Sequence, residues 1–389
     1  MKYCFLDWQA NNTFGWGIAG LNIFFQLAND PELRPLMGMP LAEPDVAMFD
    51  PLRVIRCLDW FRASNQFLQE LNAGKRNLQQ AGVVLVDAVG NDMKPLGQRS
   101  AARTVGRCVF EDTRTCEARE QARRYDALVC ASSWNAGLLQ ASFDIPVTTI
   151  FEGTDPSLFH PGPRSGILDP TRFYIFSGGK VEFRKAQDLV LLAFAEFSRR
   201  HEDAVLVTAW HSPWPQRSAG FRGRLRAPLE LAPSGRINVK KWVSDNGVPA
   251  AKVIEIGPVP NPVMPMILRE MDCSLQPSRA EGGTNFQVKE SMACGVPVIV
   301  ADNSGVRDII EDGNCIPLRR QGKVDQADGI GTDGWGESDV EEIVEALELL
   351  YTDSARRKQV GQEGARSMTA KDRSWARHAR ELKQFLLSL

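Results

Sequence analysis

Short apolar runs alternate with amphipathic stretches along most of the chain. Lys2–Asp7 (KYCFLD), Val83–Val89 (VVLVDAV), Gly106–Glu111 (GRCVFE), Asp126–Ser132 (DALVCAS) and Pro146–Phe151 (PVTTIF) predict strands, with helix-like segments among them. Residues 161–172 are dense in proline and glycine, lack periodicity and predict a linker. A second alternation follows: Phe173–Gly179, Ala204–Trp210, Val253–Gly257, Cys273–Ser278 and Pro297–Asp302 predict strands, and Ala186–Arg200 is the best amphipathic helix. Asp339–Tyr351 and Ser374–Leu389 continue as helices to the end. The pattern predicts an α/β protein of two Rossmann-like domains, residues 1–160 and 173–368, with a cleft where the carboxyl ends of the two sheets face one another.

The stretch Ser278–Val300, SRAEGGTNFQVKESMACGVPVIV, joins several local signals. Thr284 with Gln287 three residues on has the capping-box pattern and predicts a helix start at Thr284. Gly282 and Gly283 before it allow close approach of a ligand to the backbone. Phe286, Val288, Met292 and Ala293 supply apolar contacts, Gly295 suits the helix C′ position, and Pro297 opens a buried strand. The free amides and positive dipole end form an anion site at Asn285 and Phe286. Glu290 lies six residues beyond Thr284. At 1.5 Å rise per residue that is roughly 9 Å down the axis, near the span from a β-phosphate to ribose hydroxyls. The other reading of Glu290 is a solvent-facing helix glutamate beside Lys289.

Composition narrows the field. The chain has 389 residues, 43% hydrophobic and 24% charged, which is too long for one ordinary core. A formal charge of −2 argues against a nucleic-acid binder. The eight cysteines (Cys4, Cys57, Cys108, Cys116, Cys130, Cys273, Cys294 and Cys315) form no CxxC pair, and most sit in apolar runs as small hydrophobes. No stretch approaches the roughly 20 apolar residues of a spanning helix, and the first residues lack a leader-like apolar core. The expectation is a cytoplasmic protein, with peripheral association at the inner face of a membrane left open.

Four segments in order, FEGTDPSLFHP, FSGGKVEFRKAQDLVLLAF, PSRAEGGTNFQVKESMACGVPVI and NSGVRDIIEDG, between about Phe151 and Gly313, resemble glycosyltransferase family 4, the retaining GT-B enzymes. The N-terminal half is similar more loosely, through DALVCASSWN and a glycine-rich loop after the first strand. The resemblance implies GT-B architecture, a nucleoside-diphosphate sugar as donor substrate, no cofactor and no metal. It also implies that residues 369–389 cross back to brace the first domain, with Trp375 and Phe385 as anchors.

Carried over residue by residue, Lys180 and Lys185 stand where a basic pair holds the donor's diphosphate, with Arg184 as a third cation and Gly179 beside them. Such cations can stabilise the charge that develops as the diphosphate leaves. Glu290 resembles the glutamate that binds the ribose, and Glu281 the one near the transferred sugar; Gly283, Thr284, Asn285 and Phe286 line the donor between them. Two departures stand out. The glutamates are one residue further apart than the family's usual spacing, an insertion that GGTN absorbs in the turn. The family histidine of the first domain is missing: Glu111, beside Asp112, stands in its place, and a carboxylate there can accept a sugar hydroxyl or assist deprotonation of an acceptor. A loop-ordering acid is the other reading of Glu111.

GWGIAG, with Gly15, Gly17 and Gly20, satisfies the dinucleotide pattern formally, but it follows the first strand too late and lacks a second strand ending in an acid. The preferred reading places Gly15 and Gly17 in a loop that approaches the donor from the first domain. Trp210, His211 and Trp214 wall the cleft or pack a loop, and Ile254–Gly257 lies where relatives contact the base. The resulting expectation is a metal-independent retaining glycosyltransferase acting on a glycan, lipid-linked or other hydroxyl acceptor. Its rivals are a catalytically inactive nucleotide-sugar-binding module, a GT-B epimerase and an NAD oxidoreductase.

Overall fold

The computed structural model describes residues 2–79, 82–114, 118–324 and 330–389. Cys116 lies outside them, and the other seven cysteines are free and buried. The first sheet contains β1 (Lys2–Leu6), β2 (Leu33–Met37), β3 (Val83–Val89), β4 (Arg103–Cys108), β5 (Ala127–Cys130) and β6 (Val147–Thr149), in the order β2-β1-β3-β4-β5-β6. The second contains β7 (Phe173–Lys180), β8 (Ala204–His211), β9 (Val253–Glu255), β10 (Cys273–Gln276), β11 (Val298–Ala301) and β12 (Ile316–Leu318), in the order β12-β11-β10-β7-β8-β9. Every pairing within these two sheets is parallel. This is the α/β, GT-B arrangement of two Rossmann-like sheets. In the second sheet the order reverses between β7 and β10, so the segments after these two strands flank the crevice where such sheets take ligands.

Two strands escape the hydrophobic pattern. β2 is LRPLM, an edge strand whose Pro35 and Arg34 break the apolar run; β12 is a three-residue edge. An edge tolerates proline because one side of the strand needs no ladder partner. The interior strands are buried, as a sheet covered by helices on both sides requires: all seven residues of β3 are buried, Asp87 included, and β4 carries Arg107 into the interior.

The helix start expected at Thr284 lies one residue later. Asn285 is the cap, with φ +57°, and its side chain accepts the Gln287 amide at 3.0 Å; the helix runs Phe286–Ala293. Thr284 is fully buried, and its hydroxyl has no hydrogen-bond partner. The turn thus directs Thr284 inward before the helix begins. Val288, Met292 and Ala293 enter the core, Gly295 takes φ +78° at the C-terminus, and Phe286 instead stacks on Trp375 with ring centroids 5.9 Å apart.

The glycine loop expected after β1 is instead a helix, Gly15–Leu27, entered by the segment Asp7–Phe14. A Cβ on Gly17 would lie 2.7 Å from the Asn11 amide nitrogen, and one on Gly20 2.9 Å from Trp8 Nε1, so these glycines let the helix pack under that segment. The helix Trp375–Ser388 crosses back to the first sheet, where Ala379, Leu382 and Leu386 join its core and Phe385 packs beside them. Among the described residues no helix is long and apolar enough to cross a membrane.

Candidate active site

The segments at the carboxyl ends of both sheets enclose a cleft of about 1290 Å³. On the second-domain side β7 ends in Gly178, Gly179 and Lys180, and a 3-10 turn, Phe183–Lys185, follows. Ala186 takes φ +56° to swing the chain from this turn into the helix Gln187–Arg200. The turn is clamped from behind by Arg279, which is fully buried. Its guanidinium donates to Asp188 (2.7 and 2.9 Å), to Glu337 (2.7 Å) and to the Phe183 carbonyl (2.7 Å), and its amide donates to the Arg184 carbonyl (2.7 Å). A buried guanidinium is tolerated only when paired in this way, and the pairing fixes where the neighbouring cations point.

Those cations meet the turn that follows β10. Lys185 Nζ donates to both Glu281 oxygens (2.7 and 2.9 Å), Arg184 Nη1 to Glu281 Oε2 (2.8 Å), and Asn285 Nδ2 to Glu281 Oε1 (2.8 Å). Ser304 Oγ accepts the Glu281 amide and the Gly305 amide donates to the Glu281 carbonyl, so NSGV serves as the bracket for this glutamate. Burial alone would raise the Glu281 carboxyl, but Lys185 and Arg184 hold it below the ordinary value. Glu182 completes the cluster by pairing with Arg184 and with Lys180 (3.0 Å). Against its burial, Arg184, Lys180 and Lys185 hold its carboxyl down to about 2. In KVEFRK the cations carry the motif, and the role of this acid comes only from its pairing in the fold.

The first domain contributes Glu111, on the segment after β4, with its carboxylate 3.5 Å from Arg184 Nη2. Burial raises its carboxyl, Arg184 opposes this, and Glu182 and Glu281 add to it. Its position is fixed at the backbone: the Glu111 amide donates to Asn91 (3.2 Å), and its carbonyl accepts Trp335 Nε1 (2.9 Å) from the second domain. Asp112 and Thr113 bond to the segment around Gly331, which ties this loop across the cleft.

Family comparison decides what this arrangement belongs to: residues 163–367 match the model described as glycosyl transferases group 1. The chain belongs to that family. Two curated relatives are 27% identical. One is a GDP-mannose-dependent alpha-(1-6)-phosphatidylinositol dimannoside mannosyltransferase of Mycobacterium tuberculosis, aligned over 51% of this chain and 47% of its own length. The other is the lipopolysaccharide core biosynthesis mannosyltransferase LpcC of Rhizobium leguminosarum bv. viciae, with 49% of each chain aligned. The chain spans about half the length of the curated relatives it matches. Among solved structures, a sucrose-phosphate synthase from Thermosynechococcus elongatus is similar at 14% identity and TM-score 0.62, covering 100% of this chain and 98% of its own. Anabaena HepE in complex with UDP and glucose is similar at 12% identity and TM-score 0.64, with both chains fully covered. These two likenesses show the GT-B fold.

In this member of the group 1 family the cleft is lined by Gly15, Gly179, Lys180, Arg184 and Lys185, and also by Glu111, Glu281, Gly283, Asn285 and Phe286. Gly15 permits the Phe286 ring of the other domain to approach within 3.2 Å of its Cβ position. Gly17, Thr284 and Glu290 are not among the lining residues. Glu290 is 2% exposed and its Oε1 accepts Asn261 Nδ2 at 2.5 Å, while Lys289 beside it is fully buried, so neither is a solvent-facing helix residue. The TAWHSPWPQR run divides: Trp210 is core and donates to Ser177, whereas His211 and Trp214 wall the cleft, with Lys180 Nζ 5.3 Å from the Trp214 ring. Ile254–Gly257 lies outside the lining. Among the described residues no group of three or more His, Cys, Asp or Glu side chains is placed to hold a metal ion.

Burial pushes the Glu290 carboxyl up to about 8, with Asn261 and Lys289 opposing. The folded protein therefore keeps this proton where an unfolded glutamate, near 4.3, has lost it, and stability declines as pH rises from about 4.3 to 8. Glu290→Gln keeps the acceptor for Asn261 and removes this titration. Urea unfolding of both proteins at pH 5.5 and 7.5 should show the wild type losing on the order of 1–3 kcal/mol relative to the variant as pH rises. An equal response of the two proteins would mean that Glu290 is already ionised in the fold.

Proposed function

We propose that this chain is a retaining glycosyltransferase of the family 4 type, moving a sugar from a nucleoside-diphosphate donor to a hydroxyl acceptor without a metal or cofactor. The observation that carries the reading is the convergence of Lys180, Arg184 and Lys185 at the β7 and β10 ends, opposite the amides of the helix Phe286–Ala293. Three cations and a helix N-terminus at one switch point are what a diphosphate requires. On donor binding the diphosphate oxygens take over Lys185 and Arg184, and Glu281 is released toward the sugar. As the acceptor oxygen attacks C1 on the face the diphosphate leaves, the C1–O bond breaks. The acceptor proton passes to a departing phosphate oxygen, and the cations take up the developing charge. Glu290, buried on Asn261 outside the cleft lining, is left out of this reading as a ribose contact, and the cleft's walls limit hydrolysis of the donor.

Both curated relatives are named as mannosyltransferases of lipid or lipopolysaccharide glycans, which supports an acceptor of the glycan or lipid-linked class. It also makes GDP-mannose the first donor to test. Thermal shift against UDP-, GDP-, ADP- and dTDP-sugars with EDTA present should give a rise in Tm with one of them. No rise with any of the four would remove the donor assignment. Glu111→Gln keeps the hydrogen-bonding shape and removes the basic carboxylate; turnover should fall about ten- to a hundredfold while donor Kd stays within about threefold. An unchanged turnover under chemistry-limited conditions would make Glu111 a loop-ordering acid.

A further inference from the structure

We infer that Glu152 recognises a hydroxyl of the transferred sugar from the first-domain side of the cleft, an inference that rests on the donor reading above. Glu152 follows β6, lines the cleft and is only 6% exposed. Its two oxygens are used differently. Oε1 accepts Arg107 Nη2 at 2.6 Å. Oε2 accepts no hydrogen bond from any described residue: its nearest cation, Lys289 Nζ, is 3.9 Å away and donates instead to the Glu152 carbonyl at 3.0 Å.

The position of Oε2 relates it to the reacting end of the donor. A Cβ added to Gly283 would lie 3.3 Å from this oxygen, so the carboxylate abuts the turn between Glu281 and Asn285 across the domain boundary. Gly283 has no side chain to stand between them.

The support beneath Glu152 is built and costly. Arg107 is 2% exposed, its guanidinium lies 4.8 Å from the Trp16 ring centre, and its Nη1 is buried without a partner among the described residues. Burial would raise the Glu152 carboxyl, yet Arg107 and Lys289 hold it below its ordinary value. Arg107 and Glu152 both belong to the first domain, and their pair takes up one carboxylate oxygen and leaves the other at the cleft wall. Here a fixed, ionised, acceptor-only group keeps one oxygen unmet at the ligand's edge. A hydroxyl that donates to it is the complement, and a sugar lacking that hydroxyl leaves the carboxylate unpaired, which is the condition for strong discrimination.

The test uses the nucleotide sugar that stabilises the wild-type protein, its monodeoxy analogues, and the free nucleoside diphosphate, with Kd measured by calorimetry. In the wild type one deoxy analogue should bind about ten- to a hundredfold more weakly than the parent. In Glu152→Gln the parent should weaken, and the gap to that analogue should shrink to about threefold, with nucleoside diphosphate affinity unchanged. Glu152→Asp, which keeps the charge and withdraws the oxygens, should show the same loss of discrimination. The inference is overturned if no deoxy analogue is disfavoured by the wild type, or if the variants keep the full gap. A parallel fall in free diphosphate affinity would also overturn it, because that marks a strut for the helix Phe286–Ala293. Failure of the wild type to bind any nucleoside diphosphate would strike the function itself, a different outcome.

Discussion

Lys185→Ala is expected to weaken nucleoside diphosphate binding about ten- to a hundredfold, and to lower kcat/KM for transfer further still, because the lysine's contact strengthens as the phosphate takes charge. The fold should survive. Glu281 would keep Arg184 at 2.8 Å and Asn285 at 2.8 Å, so removing Lys185 does not strand a buried carboxylate. Lys180, held toward Glu182 and the Trp214 ring, and Arg184 remain, which keeps the loss partial. Melting without ligand should therefore change little, while calorimetry and turnover change together. A folded variant with wild-type diphosphate affinity would show that the Lys185–Glu281 pair is a structural clasp and that the anion site lies elsewhere.

Gly282→Val is expected to abolish most transfer by a different route. A Cβ at Gly282 would lie 2.6 Å from the Phe110 carbonyl oxygen and 2.7 Å from its amide nitrogen, both backbone atoms of the other domain. Backbone cannot step aside as a flexible side chain can, so the domains must separate. The Ser132 hydroxyl then loses the Gly282 carbonyl it donates to at 2.7 Å. A displacement of about 1 Å at the reacting groups costs on the order of a hundredfold in rate. Lys180, Arg184 and Lys185 all belong to the second domain, so nucleoside diphosphate affinity should stay within about threefold of wild type, as uniform binding that does not need closure. Small-angle scattering should report a larger radius of gyration. Wild-type turnover in a correctly folded Gly282→Val protein would mean that transfer does not use this closed arrangement.

The same contacts explain how much of the molecule could be read from its residues. Interior strands such as VVLVDAV announce themselves, because burial on both faces makes the run apolar at all but one position, Asp87. LRPLM does not, since an edge strand tolerates proline and arginine. The basic turn and the glutamate turn were each legible as motifs, but Lys185 and Glu281 are separated by 96 positions, and nothing local shows that they pair. Arg279 looked like one more residue of PSRAEGG; only the fold reveals it as the clamp on the Phe183–Lys185 turn. Glu182 and Trp335 were passed over because neither belongs to a recognisable pattern, and each acts through a partner supplied by the fold. The cap lies at Asn285, one residue past the position that the Thr284–Gln287 capping-box spacing indicates. The positive φ at the cap falls on asparagine, which tolerates it better than a β-branched threonine.

The most direct measurement is a calorimetric titration of GDP, UDP, ADP and dTDP into wild type and Lys185→Ala side by side, in EDTA. The account predicts that at least one of the four binds the wild type without added metal, and that its affinity falls about ten- to a hundredfold in the variant. Binding of none of them, or equal binding by both proteins, would contradict the claim that this cleft holds a nucleoside diphosphate on Lys185.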